Sequence, residues 1–420
     1  MVAGRRCVVR SGWPLTALAL VACVQACSSG ASESLEWLDL DDLPEIRLVE
    51  RAVLGGFEAE GPDAFGKVNS VAVLPGEDAI AVADGTVQEI LLFGLDGQLI
   101  GRTGGRGGGP GEFRAVRQMS VSRDGRLEVW DVQQSRVTTF DASLELEGAH
   151  RADLEPVQAM FPEFVGFFAD GGFVLRDGRS EIGMRDLPEG IRQDTVRLYA
   201  YSSTGRFEDT LAVLVDEPKW FRNRDGGWGR EELIFGRELT SVVVGDEVWV
   251  GSTGTWTFTR YGAEGVVLGD VDLGVRPRPA SPEEIQDERA RRIDAVRVRD
   301  VRAVAIGAPV DLQDVVVRMA EAERNAIREV ASNDTLPAYD LVVAGTDGPV
   351  LVREYPRPLD ISVRWVVIDG AGLPLGRLTL PRDTEIKAVA PGMLVVLERD
   401  AFDAPLARIL EMRGGAGTGS

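Results

Sequence analysis

Histidine occurs once in this chain, at His150, and cysteine three times, at Cys7, Cys23 and Cys27. Zinc sites and Ser-His-Asp catalysis both draw on histidine, so neither is expected. Residues 28–420 hold no cysteine. The body of the protein therefore has no internal disulfide and depends on packing. Lysine is confined to Lys67, Lys219 and Lys387, and arginine supplies the rest of the positive charge. Acids outnumber bases by 67 to 46, a formal net charge of −21. A polyanion repels a phosphate backbone and gains no counterion-release affinity from it, which excludes nucleic acid as an expected partner. Long apolar runs are also missing. "WPLTALALVA", from Trp13, is too short to span a bilayer comfortably. What is present is a hydrophobic content of 44% over 420 residues, enough for a large globular core.

The N-terminus carries an address. Arg5, Arg6 and Arg10 precede the apolar run, and small residues lead to a cysteine in "LVAC" at Leu20–Cys23 and again in "VQAC" at Val24–Cys27. This is the layout of an export signal. The cysteine resembles the lipobox of bacterial lipoproteins, in which the thiol is diacylated and the signal is cut before it. Cys23 fits that pattern, with Leu20 and Ala22 at the cleavage positions. Cys27, followed by "SSG", competes for the role. An ordinary cleaved signal with incidental cysteines remains open, as does a twin-arginine route through "RRCVV". The resemblance implies a membrane partner through the N-terminal lipid, each buried methylene of an acyl chain adding ~0.8 kcal/mol. It implies a place in the cell envelope, on the periplasmic side of the outer membrane or on the cell surface. Residues 1–27 are accordingly assigned to signal and lipobox, 28–44 to an acidic flexible tether, and 413–420 to a disordered tail.

Between these ends the sequence repeats. One unit is a Gly/Asp or Gly/Pro turn between two apolar strands. It occurs as "VAVLPGEDAIAVAD" at Val71, "MSVSRDGRLEVWD" at Met119, "GFFADGGFVLRD" at Gly166, "SVVVGDEVWVG" at Ser241, "LVVAGTDGPVLVRE" at Leu341 and "KAVAPGMLVVLER" at Lys387. These are hairpin signatures, because Gly and Asp tolerate the backbone of tight turns. A second unit places an aromatic or aliphatic residue, then three residues, then a glycine, from Phe93, Tyr201, Tyr261 and Ile368, with Leu144 replacing the glycine in the copy from Phe140. Six inner hairpins and five outer ones fit a ring of four-stranded blades whose last blade is shared between chain ends. "EIRLVERAVL", Glu45–Leu54, then supplies the missing outer strand, and closure removes exposed sheet edges. The expected fold is all-β, a six-bladed β-propeller over residues 45–412, with a helical insertion at 281–335 between blades 4 and 5.

The stretch "GGRGGGPGEFRAV", Gly104–Val116, connects the outer strand of blade 1 to the inner strand of blade 2. No Gly-Lys-Ser/Thr comes after it and the next element is a strand, so it is not a phosphate loop. Residues 104–141 together resemble an NHL-type propeller repeat through Gly111, Glu112, Phe113, Asp124, Gly125, Asp131 and Arg136. As a whole the chain is similar to bacterial six-bladed β-propeller lipoproteins, NHL-repeat-like or TolB-like.

Two segments fall outside the repeat. "SPEEIQDERARRIDAVRVRD" opens with a serine cap and Pro282, and "VDLQDVVVRMAEAERNAIREV" is a second helix candidate. Together they form either a lid or docking element over one face, or a structure packed on the propeller's side. Their arginines alternate with acids and read mostly as a solvated face. "KWFRNRDGGWGREELIFG", Lys219–Gly236, offers Trp220, Phe221, Arg222 and Trp228 as candidate ligand-binding residues, a composition that suits a peptide or sugar. The alternative is that the tryptophans fold back over a blade junction. Some propeller relatives are calcium-dependent lactonases that hold the metal with Glu, Asn and Asp around the axis. Of Asn69, Asn223, Asn325 and Asn333, only Asn69 lies near an inner strand. The expected function is a non-catalytic binding or scaffold module for a peptide, glycan or envelope protein, without cofactor, metal or catalytic residue; the alternative is a calcium-dependent hydrolase on the same fold.

Overall fold

The computed structural model describes residues 37–74, 76, 78–157, 162–177, 189–224, 227–296, 312–345 and 348–415. The leader with Cys23 and Cys27, residues 28–36 of the expected tether, and residues 416–420 lie outside the described residues. Among those described, no helix is long and apolar enough to cross a membrane.

Six four-stranded antiparallel sheets carry the architecture. From the axis outward, blade 1 is Val68–Leu74, Ala79–Asp84, Glu89–Gly94 and Leu99–Gly104. Blade 2 is Val116–Val121, Leu127–Asp131, Arg136–Phe140 and Leu146–Arg151. Blade 3 is Glu163–Phe167, Phe173–Arg176, Thr195–Tyr201 and Phe207–Val215. Blade 4 is Leu239–Val244, Glu247–Ser252, Thr257–Gly262 and Val267–Asp272. Blade 5 is Tyr339–Ala344, Val350–Glu354, Ser362–Ile368 and Pro374–Pro381. Blade 6 is Glu385–Ala390, Met393–Arg399 and Pro405–Arg413, completed by Arg47–Gly55. That N-terminal strand pairs antiparallel with the C-terminal one, from Arg47 opposite Arg413 to Gly55 opposite Leu406, as the count of hairpins predicts.

Each blade is covered on both faces by its neighbours, so its second strand is buried on both sides rather than alternating. Ala79–Asp84 and Leu127–Asp131 are buried at every position. The outermost strands meet water and lose that character, as Leu99–Gly104 does. Between blades 1 and 2 the core holds Ala81, Ile90, Leu92, Val129 and Phe140, with Phe113 driven fully inside from the glycine-rich connection.

The outer turns show how sequence sets backbone. Gly97, Gly205, Gly265 and Gly372 all take positive φ, which glycine adopts freely. In blade 2 Leu144 holds the equivalent place at φ 66° and is buried with Phe113 and Phe140. Burial of its side chain offsets a left-handed backbone that costs an L-residue ~1–2 kcal/mol.

Residues 37–44 are docked, whereas composition places them in a tether. Leu38 N–H donates to Gly274 O at 2.8 Å. Leu40 and Leu43 are buried with Trp249, Trp256 and Ile368 of blades 4 and 5. Asp41 pairs with Arg364 at 2.7 Å. Acidic composition conceals the cause: the leucines of "LDLDDL" have an apolar seat, and an aspartate between them has an arginine partner.

Candidate functional site

The innermost strands all run in one direction, from a face built of interblade connections to a face built of hairpin turns. Every long connection therefore emerges on the first, here called the loop face. The glycine-rich segment is one of them. Gly104 and Gly105 turn the chain at φ 96° and 125°, and Phe113 N–H then donates to Gly105 O at 2.9 Å. The loop's backbone is satisfied by blade 2. Asp131 accepts from Arg114 N–H at 2.6 Å and Gln134 N–H at 3.0 Å. Arg136 donates to Gly109 O at 3.1 Å and to Glu112 O. Gly111, Glu112, Phe113, Asp131 and Arg136 are thus brought together. Asp124 and Gly125 sit at the far end of the blade, in a turn where Ser122 Oγ donates to Asp124 Oδ1 at 2.6 Å. That bond and Arg126 outweigh partial burial and lower the Asp124 carboxyl from its ordinary value.

The two segments outside the repeat pack on each other. Gly190–Arg192, Lys219–Arg224 and Gly227–Glu231 form a three-stranded sheet. The insertion contributes helices α1, Pro282–Ala295, and α2, Leu312–Glu329. The capping box forms as its sequence predicts, Ser281 Oγ accepting from Glu284 N–H while the Glu284 carboxylate accepts from Ser281 N–H. Leu233, Ile234 and Phe235 are buried with Val330 and Leu336, and Trp220, Ile285 and Tyr355 pack against them. Arg222 reaches Glu329 at 2.7 Å and lies over the Trp220 ring, 4.7 Å from its centroid.

This placement corrects the recognition reading of the loop in part. Phe221 is 1% exposed and can touch no ligand from outside; its position on the middle strand of the small sheet turns it inward. Trp220 and Arg222 belong to the joint with α2. Trp228 lies on the partner strand, opposite Asn223. The arginines of α1 are also more than a solvated face. Arg289 donates to Ile327 O, Arg328 O and Val330 O at 2.6, 2.9 and 2.9 Å, closing the end of α2. Glu288 is buried, yet hydrogen bonds from Arg291 and Arg292 outweigh burial and lower its carboxyl below its ordinary value.

A cavity of about 580 Å³ runs along the axis. Val121, Val243, Val343 and Ala390 line its far end. There the turns of blades 2, 3 and 4 are laced together, Arg123 N–H to Ala169 O at 2.6 Å and Ala169 N–H to Gly245 O at 3.0 Å. The mouth on the loop face is polar, lined by Asn69, Arg117, Gln118, Glu385 and Lys387. Five of the six innermost strands break register near the same place, close to their start: at Asn69, Arg117, Val165, Asp340 and Lys387. Blade 4 keeps continuous register. A β-bulge re-aims its extra residue and is frequent at barrel rims and sites. Sequence reasoning missed this ring. Its signal was a polar residue near the start of an otherwise apolar strand, as in "VRQMSV" and "EIKAVA".

The acids near the mouth are paired with bases. Asn69 Nδ2 donates to Val116 O at 2.7 Å, which fixes the orientation of its amide. Asp340 is held by Arg353 through two bonds of 2.7 and 2.9 Å, and Glu385 by Lys387 at 2.7 Å. Among the described residues, no three His, Cys, Asp or Glu side chains are placed to hold a metal ion.

Comparison with known proteins bears on the fold. Residues 64–164, spanning blades 1 and 2, match the family model DUF5128, described as 6-bladed beta-propeller. No curated protein sequence matches the chain. Among solved structures, similarity extends to a Bacteroides fragilis protein described as exported, at 10% identity and a TM-score of 0.45, covering 90% of this chain and 97% of that one. A member of the duf4221 family from Bacteroides vulgatus aligns at 11% identity and a TM-score of 0.47, covering 88% and 99%. Virginiamycin B lyase from Staphylococcus aureus aligns at 8% identity and a TM-score of 0.36, covering 87% and 99%. By its own strand pairing and by the family signature in its first two blades, this chain is a six-bladed β-propeller.

Proposed function

We propose that the chain is a non-catalytic binding module of the cell envelope, held to a membrane by lipid on Cys23 or Cys27, which docks a protein or peptide on its loop face. The observation that carries this reading is where exposed apolar side chains lie. Phe57 and Phe402 stack on each other at 4.4 Å while both remain open to solvent. Leu359 and Ile361 are 93% and 88% exposed, and Val87, Val132 and Ile191 are exposed as well. All seven belong to loop-face connections of blades 1, 2, 3, 5 and 6. Among the described residues, the exposed large apolar side chains of the turn face are Val266 and Leu373, and the others lie on outer strands, α2, the axial strand of blade 5 and the N-terminal segment. Apolar side chains gathered on one face of a protein mark an interaction site more often than scattered ones do. Aliphatic loop tips suit a protein or peptide better than a glycan, which needs convergent polar groups.

Site-specific photocrosslinking in native membranes tests the reading. A probe at Leu359 or Phe402 is expected to capture a discrete partner, and a probe at Leu373 is not. Equal capture from both faces, or none from the loop face, refutes it.

A further inference from the structure

The residues of the axial mouth differ from those of the proposed docking face. Three consecutive blades, 6, 1 and 2, place Lys387, Asn69 and Arg117 at the same bulged position, and all three line the cavity. Their charges do not cancel. Lys387 is matched by Glu385. Asp340, the acid among the bulged residues, is neutralised by the two-pronged Arg353 and does not line the cavity. Arg117 has no ion-pair partner among the described residues and is exposed. One guanidinium is therefore left over at the mouth of a cavity in a chain of net charge −21.

We infer that this mouth binds a small ligand through a carboxylate. A planar guanidinium presents two parallel N–H donors that match the two oxygens of a carboxylate. Gln118 beside it adds an amide. The cavity of about 580 Å³ falls within the range of small-molecule sites. Its apolar far end, Val121, Val243 and Val343, takes the uncharged part of the ligand. The carboxylate can belong to an acidic sugar or to the C-terminus of a short peptide. The recognition chemistry is the same for both.

Calorimetric titration of the full-length chain in detergent tests this, with glucuronate against glucose, and N-acetyl-Ala-Ala against its C-terminal amide. At least one carboxylate probe is expected to bind, and its neutral counterpart to bind about tenfold or more weakly, the scale of one charge-assisted hydrogen-bonded pair. The pair that discriminates identifies the source. Arg117→Gln is expected to lose that discrimination and Arg117→Lys to keep part of it, with thermal midpoints unchanged because Arg117 is exposed. Phe402→Ser should leave carboxylate binding intact, which separates this site from the docking face. Absence of binding by either carboxylate at millimolar concentration, equal binding of charged and neutral probes, or an unaffected Arg117→Gln overturns the inference.

Discussion

Replacing Glu128 by glutamine should make the propeller more stable, by a margin that opens above pH 4.5 and levels off above about 7. Glu128 lies on the second strand of blade 2 and is 2% exposed. Its Oε2 accepts from Thr139 Oγ1 at 2.7 Å. The nearby arginine is engaged elsewhere, Arg126 pairing with Asp124 at 3.0 Å and Glu147 at 2.8 Å. Burial dominates, and pushes the Glu128 carboxyl from 4.5 up to about 7. A raised native pKa means that the folded protein holds this proton more tightly than the unfolded chain. The associated stability is present below pH 4.5 and is lost as pH rises through about 7. At ~1.36 kcal/mol per unit, the loss is about 3 kcal/mol once the group is fully ionised. Glutamine keeps the shape and an acceptor for Thr139 but has no charge to bury. Denaturant midpoints of both proteins across pH ~4 to ~8.5 measure the effect; differencing them removes every other titrating group. The variant and the parent should coincide near pH ~4, diverge between pH ~4.5 and ~7, and differ by about 3 kcal/mol at pH ~8.5. A difference that does not change with pH would refute the argument that Glu128 is forced to ionise inside the blade.

Two more outcomes rest on local geometry. Leu144→Gly relieves a strained backbone, worth ~1–2 kcal/mol, yet it empties a buried position, which costs ~2–5 kcal/mol for a comparable truncation. Chemical denaturation should therefore show a net loss of stability, and a gain would mean that the side chain contributes little to the seam between blades 1 and 2. Arg289→Ala removes the guanidinium nitrogen that three carbonyls at the end of α2 share, so hydrogen exchange should accelerate in the last turn of that helix while the blades keep their protection. Uniform change across the molecule would contradict a local capping role.

The strands are legible because a propeller repeats its signals. Every inner turn coincides with a sequence copy, and counting hairpins is enough to splice Glu45–Leu54 onto the C-terminal hairpin. Long-range relations are less legible. That Leu40 and Leu43 dock depends on a seat made by Trp249 and Trp256, roughly 200 residues away, which composition cannot reveal. Phe221 looks like a recognition residue because it stands among arginines and glycines, but it pairs across to Gly190 and faces inward. The bulges escape notice because one extra residue in a strand leaves no mark in the apolar pattern except the misplaced Arg117 or Lys387.

The strand that completes blade 6 also sets an order of events. Arg47–Gly55 is among the first folded segments to be synthesised, and its partner, Pro405–Arg413, is the last. Glu50 meets Arg408 across 358 steps of sequence. A chain made from its N-terminus therefore carries an unpaired strand until Pro405–Arg413 has emerged. Blades 1 to 5 can form one after another as they appear, each from contacts within its own segment, but the ring has an open seam until the final residues arrive. Molecules truncated near the C-terminus would expose both that strand and the flank of blade 1, and such edges recruit other chains. The N-terminal strand is thus covered only by the strand made last of the six blades.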